Sequence, residues 1–481
     1  MNKDERFVTA ITPKSEDFSK WYTEIIRRAE LADYAPMKGM MVIRPYGYAI
    51  WENIQQLLDI RIKDSGHSNA YFPLFIPETF LQKETEHLEG FSPEVAWVTH
   101  GGVEELEERL AVRPTSEAII GNMYSKWIKS WRDLPVLINQ WANIVRWEKV
   151  TRPFLRTTEF LWQEGHTAHE TSEEAEQETL MILNLYREFA ESELAIPVIS
   201  GRKTARERFA GALETFAIEA LMSDGKALQM GTSHNLGQHF SKVFNIRFED
   251  RDQKLQYVWQ TSWGVSTRLV GAVIMAHGDD SGLRFPPRVA PVQIVIVPIS
   301  LGNWKQEVLP MAQKLERELK KEGWRIKLDA REEFTPGWKF SEYEMRGIPL
   351  RIEIGPRDIK NKQAVVVRRD TMAKEAISLD SLQEKIPQIL SDIQDSMLEN
   401  ARKFQVENTH EVDSYQDFKS VLESKRGFLK AFWCGKQDCE DKIKEETMAT
   451  IRVVPLEQKA KGKCVLCQAD AGQWVYFARA Y

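Results

Sequence analysis

Cysteine is nearly absent from this chain. None precedes Cys434 in 481 residues, and all four (Cys434, Cys439, Cys464 and Cys467) crowd into the final tenth. For a protein expected in the cytoplasm, the Cys-x4-Cys and Cys-x2-Cys spacings read as a metal site rather than as disulfides. Four thiolates suit a closed, tetrahedral, structural Zn2+. Long apolar runs are missing as well. No segment approaches the roughly 18 residues of a membrane span, and Met1 to Arg6 lacks the apolar core of a signal peptide. A cytoplasmic protein without a membrane partner is therefore expected. Positive charge is not in excess. The net charge of −6 predicts no bulk attraction to nucleic acid, so such binding must use a local basic patch. Neither a GxxxxGK[ST] loop nor a GxGxxG fingerprint is present, so a bound nucleotide must be gripped by arginines rather than by a glycine-rich helix start. Internal repeats and low-complexity segments are absent too.

What remains is an ordinary globular composition, 42% hydrophobic and 28% charged, on a chain long enough for two or three domains. Apolar spacing predicts helices over Ser19 to Leu31 and Tyr48 to Ile62, and a capping box at Thr171 to Glu174 opens another. Strand-like runs appear at Leu110 to Arg113, Leu137 to Trp147 and Leu269 to Ala276. Helices set among antiparallel-looking strands predict an α+β first domain. Pro286 to Pro291 reads as a linker. Beyond it, strands at Val292 to Ile299, Trp324 to Leu328, Leu350 to Ile354 and Ala364 to Arg368 alternate with a helix from Trp304 to Lys321, which reads as an α/β domain. A long helix from Ser381 to Phe404 leads to the cysteine-bearing tail. The expected domains are 1–286, 287–404 and 405–481.

Chemistry concentrates between Arg146 and His166. Arg146-Trp147-Glu148, then Arg156-Thr157, then Glu159 to His166 fit a strand, a short turn and a second strand. Such a ribbon brings Arg146, Glu148 and Arg156 together, and two guanidinium forks can hold a carboxylate and a phosphate side by side. The bland alternative is a surface ribbon of solvated ion pairs, usually worth little.

Five separated motifs then occur in order: Met41-Val42-Ile43-Arg44-Pro45, Arg113-Pro114-Thr115-Ser116-Glu117, Arg146-Trp147-Glu148, Gly231-Thr232-Ser233-His234 and Ser262 to Arg268. Together they resemble the class II aminoacyl-tRNA synthetases, and in detail the prolyl-tRNA synthetase family of the archaeal/eukaryotic-like type. The resemblance spans essentially the whole chain. It implies a class II antiparallel-sheet catalytic domain, an α/β anticodon-binding domain and a small zinc-binding C-terminal domain. It implies ATP-dependent activation of L-proline and transfer of proline to the 3′ end of tRNA(Pro), with Mg2+ beside the ATP. A homodimer is implied too, with Gly39 to Pro45 and Phe72-Pro73 at its interface.

The resemblance also implies roles. Arg146 and Arg268 are the expected catalytic pair, and both belong to the ATP set with Glu148, Arg156, Thr157, Gln229 and Ser266. Thr232 falls close to magnesium. The proline set is Thr115, Glu117, Arg146, Trp162, His166, His234, Phe91 and Glu94, the last two on a loop expected to close over bound proline. For Trp162 and Phe91 the plain alternative is core packing, and for the histidines it is a satisfied structural role. A threonine enzyme of this subclass would need an active-site cysteine ligand for zinc, which the first two domains lack. A catalytically silent tRNA-binding scaffold is disfavoured because the active-site set is complete. The segment between Arg146 and Arg268 has no room for an editing domain. Residues 339–369 carry a local excess of positive charge from Lys339, Arg346, Arg351, Arg357, Lys360, Lys362, Arg368 and Arg369, a patch that can track phosphate. A terminal tyrosine, here Tyr481, can fold back toward the catalytic domain in this family.

Overall fold

The computed structural model describes residues 11–87, 94–456, 458 and 460–481. Phe91 lies outside the described residues.

The chain builds three main sheets. In the first domain seven strands run in the order Ser68–Asn69, Val136–Val145, Glu159–His169, Trp259–Ser266, Ala227–Gly237, Glu214–Leu221, Ile199–Arg202. All pairings are antiparallel except the first, which is parallel. The helix Ser172–Ser192 packs behind this sheet through Ile182, Leu183, Tyr186 and Phe189. Its start obeys the sequence rule. Thr171 accepts from the Glu174 amide at 3.2 Å while Glu174 accepts from the Thr171 amide at 3.3 Å. Helices Phe18–Arg28 and Pro45–Asp64 lie on the same core, as their apolar spacing predicts.

Leu269 to Ala276 is not a strand. The segment forms the helix Arg268–His277, whose residues Leu269 to Met275 are all buried. A short, continuously apolar run carries no period, so periodicity cannot separate a buried helix from a buried strand. The expected turn after Arg146 is also longer than predicted. Residues 146–158 form a loop between the two hairpin strands, closed by the Arg146 amide donating to the Thr158 carbonyl at 2.8 Å.

The second domain has strands Ile326–Leu328, Ile294–Pro298 and Leu350–Ile354 in parallel, extended antiparallel by Gln363–Arg368 and Lys374–Ser378. The helix Leu379–Glu407 runs from this sheet into the C-terminal domain. Midway along it, the Gln394 side-chain amide donates to the carbonyls of Ser192 and Glu193 at 2.8 and 3.2 Å. Arg346 also pairs with Glu30, and Arg369 with Asp279, across the same junction. The C-terminal domain holds a four-stranded sheet, Thr409–Glu411, Phe428–Trp433, Gln473–Ala478 and Thr450–Val453, backed by helices Tyr415–Ser424 and Gln437–Thr447. Among the described residues no helix is long and apolar enough to cross a membrane.

Candidate active site and cysteine cluster

Alternation along three neighbouring strands constructs the site. Side chains two apart share a face. Trp162, Glu164 and His166 therefore line one strip, and Ser262, Gly264 and Ser266 the next. The register sets them in rows: Ser262 opposes His166 and His234, and Gly264 opposes Glu164 and Thr232. Strand Ala227–Gly237 carries a bulge at Met230, because Gln229 pairs with Glu219 while Gly231 pairs with Ile218. The extra residue shifts the parity, so Gln229, Thr232 and His234 reach the same side. Gly165 is required by close packing, since a Cβ there would sit 2.1 Å from the Trp263 ring.

Above this surface lies a cavity of about 270 Å³, whose lining includes Thr115, Glu117, Arg146, Trp162, His166, Gln229, Thr232, His234, Ser266 and Arg268. A second opening of about 310 Å³ is lined by Glu94, Arg146, Trp147, Glu148, Lys149 and Arg156. Arg146 belongs to both. Thus widely spaced segments converge, as the motifs predicted. Glu94, expected in the proline set, lines the second opening and not the first, its carboxylate 3.6 Å from Lys149 Nζ. Thr157, expected in the ATP set, lines neither opening; it is buried and gives its hydroxyl to the Glu159 carbonyl at 2.7 Å.

Arg146 is exposed to the cavity, and its Nε donates to the Pro114 carbonyl at 3.0 Å. Its guanidinium lies 5.7 Å from the Phe160 ring centre and 5.6 Å from that of Trp162. Arg268 donates to the carbonyls of Leu155 and Gln229, both at 3.2 Å. Among the described residues neither arginine has a carboxylate within 4.0 Å. Crowding by protein pushes both guanidiniums below their usual value, and for Arg268 the nearby Arg146 adds to this. Two positive charges are held near each other with their remaining N–H groups uncommitted.

The other end is acidic. Thr115 donates its hydroxyl to Glu117, and both are buried. Glu164 sits below, accepting from Gln140 Nε2 at 2.7 Å and lying 2.9 Å from His166 Nε2. Burial alone would push His166 down, but the Glu164 carboxylate outweighs it and holds the imidazole above its ordinary value. Burial would likewise raise Glu164, and the same pairing holds it low instead. His234 behaves oppositely. Burial first, then the charges of His166 and Arg146, depress it to about 3, so the ring is neutral near pH 7.

Four lining residues escaped the sequence reading, Glu207, Phe209, Thr215 and Met230. Phe209 lies against His234 with ring centres 4.8 Å apart and planes at 34°. Its sequence signal was an aromatic alone in a polar loop bracketed by Gly201 and Gly211.

The four thiols meet at one point in the C-terminal domain. Their sulfurs all lie within 4.8 Å of one another, with Cys434 at 3.6 Å from Cys439 and 3.7 Å from Cys467. A tetrahedron with Zn–S near 2.3 Å requires sulfurs about 3.8 Å apart, so the cluster fits that ion. Tyr481 also reaches the catalytic domain. Its amide donates to the Ala227 carbonyl at 3.2 Å, and its ring centre lies 5.6 Å from the Arg152 guanidinium.

The basic patch at 339–369 is largely neutralised within the fold. Lys339 is buried on Asp329, Arg351 pairs with Glu344 and Glu353, and Arg368 pairs with Asp370. With Arg346 and Arg369 committed to the domain junction, Arg357, Lys360 and Lys362 stay exposed and make no ion pair among the described residues.

Comparison with known proteins converges on one group. Residues 97–277 match the profile of the tRNA synthetase class II core domain (G, H, P, S and T), residues 293–389 the anticodon binding domain, and residues 415–481 the prolyl-tRNA synthetase C-terminal domain. The proline--tRNA ligase of Natranaerobius thermophilus is 61% identical over 480 residues, covering 99% of each chain. That of Clostridium novyi is 56% identical over 482 residues, covering 100% of each. A crystal structure of prolyl-tRNA synthetase from Cryptosporidium parvum, complexed with halofuginone and AMPPNP, superposes with a TM-score of 0.95 at 43% identity, covering 98% of this chain and 100% of that one.

Proposed function

Because the chain belongs to the proline--tRNA ligase family over its full length, we propose a division of labour among its site residues. The enzyme activates L-proline with ATP and transfers the prolyl group to tRNA(Pro). The observation that carries the assignment is the pair of guanidiniums, Arg146 and Arg268, open to one cavity without carboxylate partners.

Proline presents a secondary ammonium, a carboxylate and an apolar ring. Glu117 and the Thr115 hydroxyl accept from the ammonium. Neutral His234 adds no repelling charge beside that cation, whereas an imidazolium would. Trp162, Phe209 and His234 wall the ring, and the Glu164–His166 pair fixes the floor. Phe91 is proposed to cover bound proline, whereas Glu94 goes with the second opening beside Lys149 and Arg156.

Arg146 grips the proline carboxylate and the α-phosphate together. Glu148, Arg156 and Thr157 take the adenine side, and Gln229, Ser266 and Arg268 take the folded-back phosphates. A carboxylate oxygen then attacks the α-phosphorus in line, the bond to the bridging oxygen breaks, and pyrophosphate leaves. In the second step a terminal ribose hydroxyl of the tRNA attacks the activated carbonyl. The ester forms and AMP departs with the bond it shared with proline. Neither step needs a protein nucleophile, so alignment and charge stabilisation carry the rate. Thr232 and Gln229 offer the oxygen donors that suit Mg2+, which would neutralise phosphate charge there.

The same reading places structural Zn2+ on Cys434, Cys439, Cys464 and Cys467, and the domain limits at 286/287 and 404/405. It assigns Gly39 to Pro45, where Val42 is exposed, and the Phe72-Pro73 region, where Phe72 itself is buried within the chain, to a homodimer interface, and the work itself to the cytoplasm, where charged tRNA is consumed. ATP–pyrophosphate exchange with each amino acid in turn is the test. Proline alone should drive strong exchange, and an enzyme that prefers another amino acid would sink the assignment.

A further inference from the structure

The segment from Lys203 to Ala212 contributes Glu207 and Phe209 to the cavity, yet much of its support comes from another domain. From its own sheet it takes the bonds of the Lys203 amide to the Thr215 carbonyl at 2.8 Å, the Phe209 amide to Thr215 Oγ1 at 3.0 Å and Lys203 Nζ to Glu219 at 2.7 Å, and from the same domain Arg208 donates to the Leu213 carbonyl at 2.9 Å while the Gly211 carbonyl lies 2.8 Å from His239 Nδ1. Thr215 Oγ1 also lies 2.9 Å from His234 Nδ1.

On the opposite side stands the C-terminal domain. Arg202 and Val454 exchange backbone hydrogen bonds, each 2.8 Å. The approach is close enough that a Cβ on Gly201 would meet the Val454 carbonyl oxygen at 2.5 Å. Lys203 Nζ donates to Glu219 at 2.7 Å and to the Arg452 carbonyl at 2.8 Å. The Arg452 guanidinium closes on Glu219 from the other flank at 2.8 and 3.2 Å. Thr204 Oγ1 donates to Glu440 Oε1 at 2.8 Å, with Glu440 only 2% exposed, and Arg206 pairs with Asp441. Glu440 and Asp441 directly follow Cys439, so the cysteine cluster anchors the helix that holds this loop.

We propose that the C-terminal domain forms the outer clamp of the amino-acid pocket, with Glu440 and Arg452 as positioning residues that hold Phe209 against His234. The Thr204–Glu440 bond acts on the proline end, whereas Arg452 and Glu219 also lie near enough to Arg268 to bear on its charge. This rests on the reading of that end as the proline site. A buried hydrogen bond to a carboxylate fixes the loop's entry, and freeing it lets Phe209 leave the His234 ring without disturbing the sheet.

Thr204→Val and Glu440→Ala each remove the same bond from opposite sides. Each should raise the proline KM in pyrophosphate exchange about fivefold, which is about 1 kcal/mol at 1.4 kcal/mol per decade. The ATP KM and kcat should stay within about twofold. The double variant should be no worse than either single one, and Glu440→Gln, whose amide oxygen still accepts, should restore the proline KM. Amide hydrogen exchange across residues 203–211 should accelerate in Glu440→Ala with no substrate present. If Glu440→Ala fails to fold, Thr204→Val carries the same comparison from the catalytic side. An unchanged proline KM, a parallel rise for ATP, or unaltered hydrogen exchange overturns the clamp. Wild-type exchange that ignores proline would instead overturn the pocket assignment, and the hydrogen-exchange arm would still judge the clamp.

Discussion

Replacing Arg146 separates a catalytic group from a structural one. Its Nε holds the Pro114 carbonyl at 3.0 Å. Its two terminal nitrogens, with four N–H bonds, point into the cavity without an anionic partner among the described residues. In Arg146→Ala the fold loses one hydrogen bond to a carbonyl, worth about 1 kcal/mol, and sheds a like-charge repulsion that lowers Arg268. The two terms oppose, so the melting temperature should move by no more than about 2–4 °C. Catalysis loses far more. Two charge-assisted hydrogen bonds to carboxylate and phosphate are worth about 1.5–3 kcal/mol each. Their sum, about 3–6 kcal/mol, is a loss of about 10²–10⁴ in kcat/KM at 1.4 kcal/mol per decade. Arg146→Lys keeps the charge without the fork and should fall between the two. ATP–pyrophosphate exchange with proline measures the loss, and thermal unfolding measures the fold. Near-normal exchange with a melting temperature several degrees lower would show Arg146 to be a strut, and the mechanism built on it would fail.

Metal and pH supply two further tests. Purified protein should hold about one zinc per chain, Cys464→Ser should lose it, and strong chelation should lower the unfolding temperature; a metal-free native protein of equal stability would refute the centre. Burial depresses His234 to about 3 and His277 to about 4. Below the ordinary value near 6.5, the unfolded chain takes up protons that the fold refuses, so stability falls as pH drops through that value. At pH 5 each ring costs about 2 kcal/mol. His166, held high by Glu164, works the other way, adding stability below 6.5 that is lost as pH rises through its raised value. His277→Gln should therefore show a shallower decline in melting temperature from pH 7 to 5 than the native protein, and parallel curves would refute the assignment.

Much of the site was legible because its residues sit in short motifs whose internal spacing survives folding. Arg146 to His166 form one hairpin, and strand alternation puts Trp162, Glu164 and His166 on one face. Elements with a clear period or a cap, such as the helix after Thr171, could be placed from sequence alone. Leu269 to Ala276 could not, because an unbroken apolar run has no face to reveal. Phe209 was missed because its loop acquires meaning only through partners hundreds of residues away, at Glu440 and Arg452. The patch at 339–369 was overestimated for a related reason. Sequence reveals charges but not their partners, and Lys339, Arg351 and Arg369 spend theirs inside the protein.

The helix Leu379–Glu407 is 29 residues long, about 43 Å at 1.5 Å per residue. It is fastened near its centre to Ser192 and Glu193 through Gln394. A rod held at its middle cannot slide, and it turns only about that fastening. Gln394, with the Arg346–Glu30 and Arg369–Asp279 pairs, therefore ties the position of the second domain's sheet to that of the catalytic sheet, so that loosening this junction would be felt as a change in the distance between the two.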